Sequence, residues 1–232
     1  MERMTFNSRD EWLNERNKPM NGIGASESAL VCGIRGAFGN LDELYDVKRG
    51  LRKPRPLSNE RIENGIKAEP LIRELFAIDH DGIYEVTYRG YDILRSDEHP
   101  FMTATLDGEL KDLRNGELGI WECKNITITK RSEMDEWDGR IPEKYLVQQI
   151  HQLEVTKWSF NILQARLNIT EWLHTKNGNL VEKYPCKRVE NRYSYIRSDD
   201  ADYRANADFI IRKESQFWDC VVNGRRPATR IF

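Results

Sequence analysis

The stretch GIWECKN, residues 119 to 125, places a glutamate and a lysine one residue apart behind an apolar lead-in of Ile120 and Trp121. On a strand, residues i and i+2 share a face, so Glu122 and Lys124 point one way while Trp121 and Cys123 point into the opposite layer. Upstream, ATLDG carries Asp107 and Gly108, and a loop containing Gly116 returns the chain to Gly119. A hairpin across that loop sets Asp107 beside Glu122. Two carboxylates converging at strand ends repel each other unless a divalent cation sits between them. An all-oxygen ligand set favours a hard ion, Mg2+ with Mn2+ as a substitute. Such an ion activates water for attack on a phosphate ester, and Lys124 is placed to orient that water or offset charge on the phosphate. In isolation an E-x-K pair is a surface ion pair worth about 0 to 1 kcal/mol. The apolar strand and the aspartate beside it favour the chemical reading. The Cys123 side chain faces the core, which leaves its backbone carbonyl as its contribution to a metal.

The elements that must hold these groups follow from periodicity. NSRDEWLNERN reads as a short helix with Ser8 as N-cap and Glu11 as its capping-box partner. In MNGIGASESALVCGI, Gly22 and Gly24 break the chain before a small-residue helix, and LDELYDVKRG reads as a helix closed by Gly50. From Ser58, apolar residues at Ile62, Ile66, Leu71, Leu75 and Phe76 predict a helix with that buried face, kinked or restarted at Pro70. IYEVTYRG, YDILRS, FMTATLDG and GIWECKN read as consecutive strands. After Pro142, EKYLVQQIHQLEVT returns to helix, with Tyr145, Gln148 and Gln152 on one face and Ile150 and Leu153 opposite. WSFNILQARL and ITEWLHT follow as strands, with a hairpin signal at Asn177-Gly178. A last helix from about Asp199 carries Tyr203, Ala207, Ile210, Glu214, Phe217 and Val221 at helical spacing. The expected fold is α/β, a central mixed sheet flanked by helices.

A chain of 232 residues with 39% hydrophobic residues can bury one core. One domain over 1–232 is expected, with N-terminal helices to residue 80, a catalytic core at 81–175 and C-terminal strands and helix at 176–232. No apolar run approaches the roughly 18 residues of a membrane-spanning helix. Cys32, Cys123, Cys186 and Cys220 are scattered, and the opening MERMTFNSRD lacks a signal pattern, so a reducing, cytoplasmic setting is expected. Thiolates so placed do not suit an iron–sulfur cluster. The net charge of −2 says little, but between Val47 and Arg61 six cations (Lys48, Arg49, Arg52, Lys53, Arg55, Arg61) face one acid, Glu60. That run is either a solvated loop or an arm tracking phosphates.

Asp-(gap)-Glu-x-Lys after a helix is the pattern of the PD-(D/E)xK nuclease superfamily, and from Trp12 to about Gln148 the chain resembles the YqaJ-type viral recombinases, relatives of the lambda-type exonucleases. The likeness rests on WLNER, GIGASES, NGIKAEP, ATLDG, ECK and YLVQQ in that order, with a softer echo at FWDCVVNGRRP. It implies a restriction-endonuclease-like core in which Asp107, Glu122 and the Cys123 carbonyl hold the metal, Glu69 stands near it or its waters, and Lys124 and Gln148 assist. It also implies that Arg16 and Ser26 receive a 5′-terminal phosphate, chemistry that suits a guanidinium fork and a hydroxyl at a helix start. Tyr145 and the basic residues Lys48, Arg49, Arg52, Lys53 and Arg55 are implied along the DNA. Leu106 stands where the superfamily has proline, Ile150 where lambda-type members have a second glutamine, and Asp97 matches an acidic position of those members.

The activity the resemblance implies is Mg2+-dependent 5′-to-3′ digestion of one strand of linear duplex DNA from 5′-phosphorylated ends. A homotrimeric ring and a single-strand-annealing partner protein are implied with it. The alternatives are an endonuclease of the same superfamily and a DNA-end-binding module without catalysis. A module of that kind is expected to lack an acid or the lysine, and Asp107, Glu122 and Lys124 are all present.

Overall fold

Strand formation follows the β-branched and aromatic runs, and the longest strand grows through the segment that carries Glu122 and Lys124. The computed structural model describes residues 1–54, 60–170, 172–176, 179–184 and 188–228, without the side chains of 60–61, 172–176 and 179–184. In chain order the elements are β1 (Glu2–Thr5), α1 (Arg9–Arg16), β2 (Ile23–Gly24), α2 (Ala25–Val31), α3 (Leu41–Lys48), α4 (Glu60–Asp79), β3 (Tyr84–Thr87), β4 (Asp92–Arg95) and β5 (Met102–Ala104). They continue with β6 (Gly108–Asp112), β7 (Leu118–Ile128), α5 (Arg131–Asp135), α6 (Glu143–Thr156), β8 (Phe160–Ile169), β9 (Trp172–Lys176), β10 (Asn179–Tyr184), β11 (Arg188–Arg197) and α7 (Tyr203–Asn223).

The central sheet has the order β11-β8-β7-β6-β3 and is mixed: β7 and β8 run parallel, the other pairs antiparallel. A second sheet, β1-β4-β5-β2, and the two-stranded β9-β10 complete the strands among the described residues. The expected α/β architecture is therefore found, with β4 and β5 in the second sheet. The turn at Asn177-Gly178 lies outside the described residues, but its flanking strands pair antiparallel.

Burial on both faces explains why β7 is so apolar. On one face Trp121 and Cys123 pack with Ile72 and Phe76 of α4 and with Phe160 and Ile162 of β8. On the other, Ile120 meets Val147, Ile150 and Leu153 of α6, a cluster that extends to Ala207 and Ile210 of α7. Trp121 and Phe76 are fully buried, and each such ring is worth several kcal/mol at about 25 cal/mol per Å2 of area removed from water.

Three expectations are corrected. Pro70 does not interrupt α4, a single helix of 20 residues, because a proline forfeits one hydrogen bond that the packing of its neighbours outweighs. The buried face of α4 is Ile72 and Phe76, whereas Ile66, Leu71 and Leu75 are 49%, 62% and 58% exposed. The apolar residues of this helix surround more than one face, so periodicity alone does not orient it. Third, β1 is a strand where none was read, while β11 falls within the 176–232 segment where strands were expected. β11 has alternating exposure and pairs with β8 over ten residues.

Candidate active site

Residues 122 to 128 of β7 extend past the end of β6, whose pairing with β7 stops at Gly108 opposite Trp121. The chain therefore opens between Asp107 and Glu122. Asp107 precedes β6 and does not end the strand before it, since β5 stops at Ala104. The hairpin still brings it to the expected neighbour: Asp107 Oδ2 accepts the Cys123 N–H at 2.9 Å. A cavity of about 280 Å3 forms there, lined by Glu69, Asp107, Glu122, Cys123, Lys124 and Gln148. Arg16, Ser26 and Lys48 line its other wall.

Glu122 is 2% exposed, and all its partners come from the strand itself or from α6. Its Oε1 accepts from Lys124 Nζ at 2.5 Å and from Gln148 Nε2 at 2.6 Å, and its Oε2 from Gln152 Nε2 at 2.6 Å. The orientation of the Gln152 amide is set from behind, because its Oε1 accepts from Asn161 Nδ2 at 2.8 Å. Short bonds of this kind from both sides hold the Glu122 side chain in one rotamer. Gln152 supplies the second amide of the helix in this chain, and Ile150 is core. Glu69 reaches the cavity from α4 and accepts from Arg73 Nη1 at 3.1 Å, and the same nitrogen donates to the Asp107 carbonyl at 2.7 Å. Sequence reasoning missed Arg73, whose only signal is its place one helical turn after Glu69.

The electrostatics of the cavity are those of too many acids. Burial, then the Glu122 and Glu69 carboxylates, push the Asp107 carboxyl well above its usual range against the pull of Lys124 and the Cys123 N–H. Burial also raises Glu69, opposed by Arg73. For Lys124, burial disfavours the charge, but Glu122 and Asp107 outweigh it and raise its pKa, so it is a cation at neutral pH. Burial raises the Cys123 thiol, which therefore stays protonated in its apolar cluster and leaves the backbone as its contribution.

These donors fit a hard divalent ion: carboxylate oxygens and a carbonyl, with no imidazole among the described residues that line the cavity and the Cys123 thiol packed in the core. The three acids do not converge on one point. Among the described residues the cluster of His, Cys, Asp and Glu that closes within 4.8 Å is a different one, Glu98, His99 and Glu154. There Lys157 already bridges Glu98 and Glu154 at 2.9 and 2.5 Å. The cavity therefore suits an ion that takes two or three protein oxygens and retains waters, as Mg2+ does.

Other expected positions divide. Arg16 Nη2 donates to Ser26 Oγ at 3.3 Å, and Arg16 has no carboxylate partner among the described residues. Lys48 is 5% exposed and pairs with Glu27 at 2.7 Å, and Glu27 also accepts the Gly24 N–H at 2.8 Å. Gly22, next to the cavity-lining Asn21, must be glycine: at φ +84° an added Cβ would sit 2.8 Å from the Phe101 carbonyl oxygen. Arg49 donates instead to the Val221 carbonyl at 3.1 Å near the end of α7, and Arg52 pairs with Glu43 at 3.0 Å. Both thus have acceptors within the fold. Lys53 is exposed and Arg55 lies outside the described residues. Tyr145 packs with Trp137 behind Lys124, whose Nζ is 5.6 Å from its ring centroid, and does not face the cavity. Asp97 pairs with the N-terminal amine, away from the site.

A mixed sheet flanked by helices, with the acids at a split between two central strands, is the restriction-endonuclease-like α/β class. The same fold occurs in the crystal structure of LHK-Exo in complex with dAMP, at a TM-score of 0.59 and 17% identity over 92% of this chain and 95% of that one. It recurs in the alkaline exonuclease LHK-Exo from Laribacter hongkongensis, with a TM-score of 0.56 and 17% identity over 93% and 97%. Residues 11–159 match the model of the YqaJ-like viral recombinase domain, and the chain belongs to that family. It is also 30% identical over 223 residues to the protein YqaJ of Bacillus subtilis (strain 168), covering 95% of this chain and 59% of that protein's length. Among the described residues no helix is long and apolar enough to cross a membrane.

Proposed function

We propose that this chain is a Mg2+-dependent exonuclease that engages linear duplex DNA at 5′-phosphorylated ends. It digests that strand 5′ to 3′ and leaves a 3′ single strand for recombination by strand annealing. The observation that carries the reading is one cavity holding Asp107, Glu122 and Lys124 on one wall and, on the other, Ser26 with Arg16, which has no carboxylate partner among the described residues. That LHK-Exo, which shares the fold, is an alkaline exonuclease agrees with it.

In this reading Asp107, Glu122 and the Cys123 carbonyl would hold Mg2+, with Glu69 standing near it. The ion supplies activation of the attacking water. The remaining work is done by the chain. Gln148 and Gln152 fix both oxygens of Glu122, so no rotamer has to be frozen when substrate arrives. Lys124, held as a cation, acts by orienting the water or by offsetting phosphate charge, not by accepting a proton. Arg16 meets the terminal phosphate with its guanidinium, Ser26 with its hydroxyl. A ring of three subunits around the duplex and a single-strand-annealing partner, with a cytoplasmic location, complete the proposal.

The experiment is digestion of linear duplexes with 5′-phosphate or 5′-hydroxyl ends, beside closed circles, with and without Mg2+. Mg2+-dependent loss of one strand from phosphorylated ends, with circles spared, is the expected result. Cut circles would point to an endonuclease, and end binding without cutting under any divalent ion to a non-catalytic module.

A further inference from the structure

Ser28 on α2, His151 on α6 and Glu214 on α7 are all 0% exposed, and they meet at one carboxylate. Glu214 Oε1 accepts the Ser28 hydroxyl, and His151 Nδ1 lies 2.8 Å from the same oxygen. His151 Nε2 is 2.9 Å from the Thr103 carbonyl of β5. A carbonyl only accepts, so Nε2 carries a proton, and the Glu214 carboxyl raises the pKa of the ring against burial, which favours a second proton on Nδ1. The result is an imidazolium–carboxylate pair with no solvent contact. Among the described residues Glu214 Oε2 has no hydrogen-bond partner.

Apolar residues of similar volume join helices at least as stably as a buried ion pair does, so stability alone is a weak reason for this arrangement. What sets it apart is where its arms lead. The α2 arm ends two residues from Ser26 and one from Glu27. The α6 arm sits between Gln148 and Gln152, the two amides on Glu122. Thr103 itself lines the cavity. Glu214 stands well outside residues 11–159, the span that matches the family model.

We propose that Glu214 is a positioning residue of the nuclease site. It fixes the start of α2 against the face of α6, so that the phosphate seat and the Glu122 clamp keep their separation. The C-terminal helix is in this way part of the site although it contributes no group to the cavity. This rests on the function proposed above.

The test measures binding of duplexes with 5′-phosphate and 5′-hydroxyl ends in EDTA, and reports the ratio of the two Kd values. That ratio does not depend on the fraction of protein that is active, so a general loss of folded material leaves it unchanged. In Glu214→Ala the ratio is expected to fall from its wild-type value to about one, and Glu214→Gln, which keeps an acceptor for Ser28, is expected to restore most of it. Should Glu214→Ala not fold, Ser28→Ala cuts the α2 arm alone and is expected to lower the ratio at least threefold. Wild-type ratios in Ser28→Ala and in every folded Glu214 variant would overturn the assignment. A ratio of one in the wild type would instead sink the phosphate seat itself, and this inference with it.

Discussion

Asp107 sets the most informative experiment, because its titration, its metal role and its cost to the metal-free protein are one quantity. Its carboxyl is pushed well above the usual range by burial and by Glu122 and Glu69. For an acid raised in the folded state the sign is this: below the unfolded pKa, near 3.8, it contributes nothing. As pH rises through the folded pKa, stability falls by up to about 1.4 kcal/mol per pH unit, and above it the full penalty remains. A divalent ion removes the penalty by supplying the missing positive charge. At a concentration 100 times its Kd, Mg2+ adds about 2.7 kcal/mol. For a chain of this size that is a rise in Tm of about 5 to 11 °C. Below the folded pKa the ion must displace a proton, so its affinity drops about tenfold per pH unit. The assay is thermal unfolding with Mg2+ or EDTA at matched ionic strength across pH 5 to 9, on the wild type, Asp107→Asn and Glu154→Gln. The Mg2+ shift should grow with pH in the wild type and in Glu154→Gln. Asp107→Asn should lose most of it and be more stable than the wild type in EDTA at high pH. A shift equal in wild type and Asp107→Asn, but lost in Glu154→Gln, would place the ion at Glu98, His99 and Glu154 and refute the reasoning.

Lys124→Ala is expected to lower turnover by about 100-fold or more with end binding largely kept, measured by single-turnover digestion beside a binding isotherm. In Arg16→Ala, competition between 5′-phosphate and 5′-hydroxyl duplexes should show no preference. Removing one partner of a buried pair costs about 3 to 5 kcal/mol, so His151→Ala should lower urea-melt stability by that order. The wild type gains a pH signature from the same pair: burial disfavours the imidazolium, but Glu214 raises its pKa above 6.5. Its contribution is complete below 6.5 and is lost as pH rises through the folded value, a slope His151→Ala should lack. Gly119→Ala puts a Cβ 2.2 Å from the Phe160 ring, and should cost about 1 to 3 kcal/mol or more in the same melts.

What the sequence made legible was local. Alternation separates Glu122 and Lys124 from Trp121 and Cys123 whatever the rest of the chain does, and a hairpin loop brings Asp107 to Glu122 even though the strand boundaries there were misread. The spacing of Gln148 and Gln152 put both on one helix face, but nothing in the spacing says that the face meets Glu122. That takes α6 packing directly on β7, with Asn161 of the neighbouring strand β8 behind Gln152. Non-local partners were invisible for the same reason. His151 reads as an ordinary helix residue because Glu214 lies 63 residues on. In the basic run, too, Arg49 and Arg52 find acceptors that only folding brings to them.

The two walls of the cavity differ in how their charge is treated, and this bears on how a substrate is held. On the catalytic wall each cation already has an acid: Lys124 has Glu122 and Arg73 has Glu69, while Asp107 is left over. On the opposite wall Lys48 is neutralised by Glu27, and Arg16 is left over. One unmatched acid and one unmatched cation thus face a common space. A metal ion and a terminal phosphate are the complementary charges, and neither can take the other's place. Filling one seat leaves the second unsatisfied, so binding of the ion and of the DNA end should be separable by single substitutions. If Arg16→Ala abolished the Mg2+ shift in Tm, or Asp107→Asn abolished the preference for phosphorylated ends in EDTA, the two seats would be one, and the division of the cavity drawn here would fail.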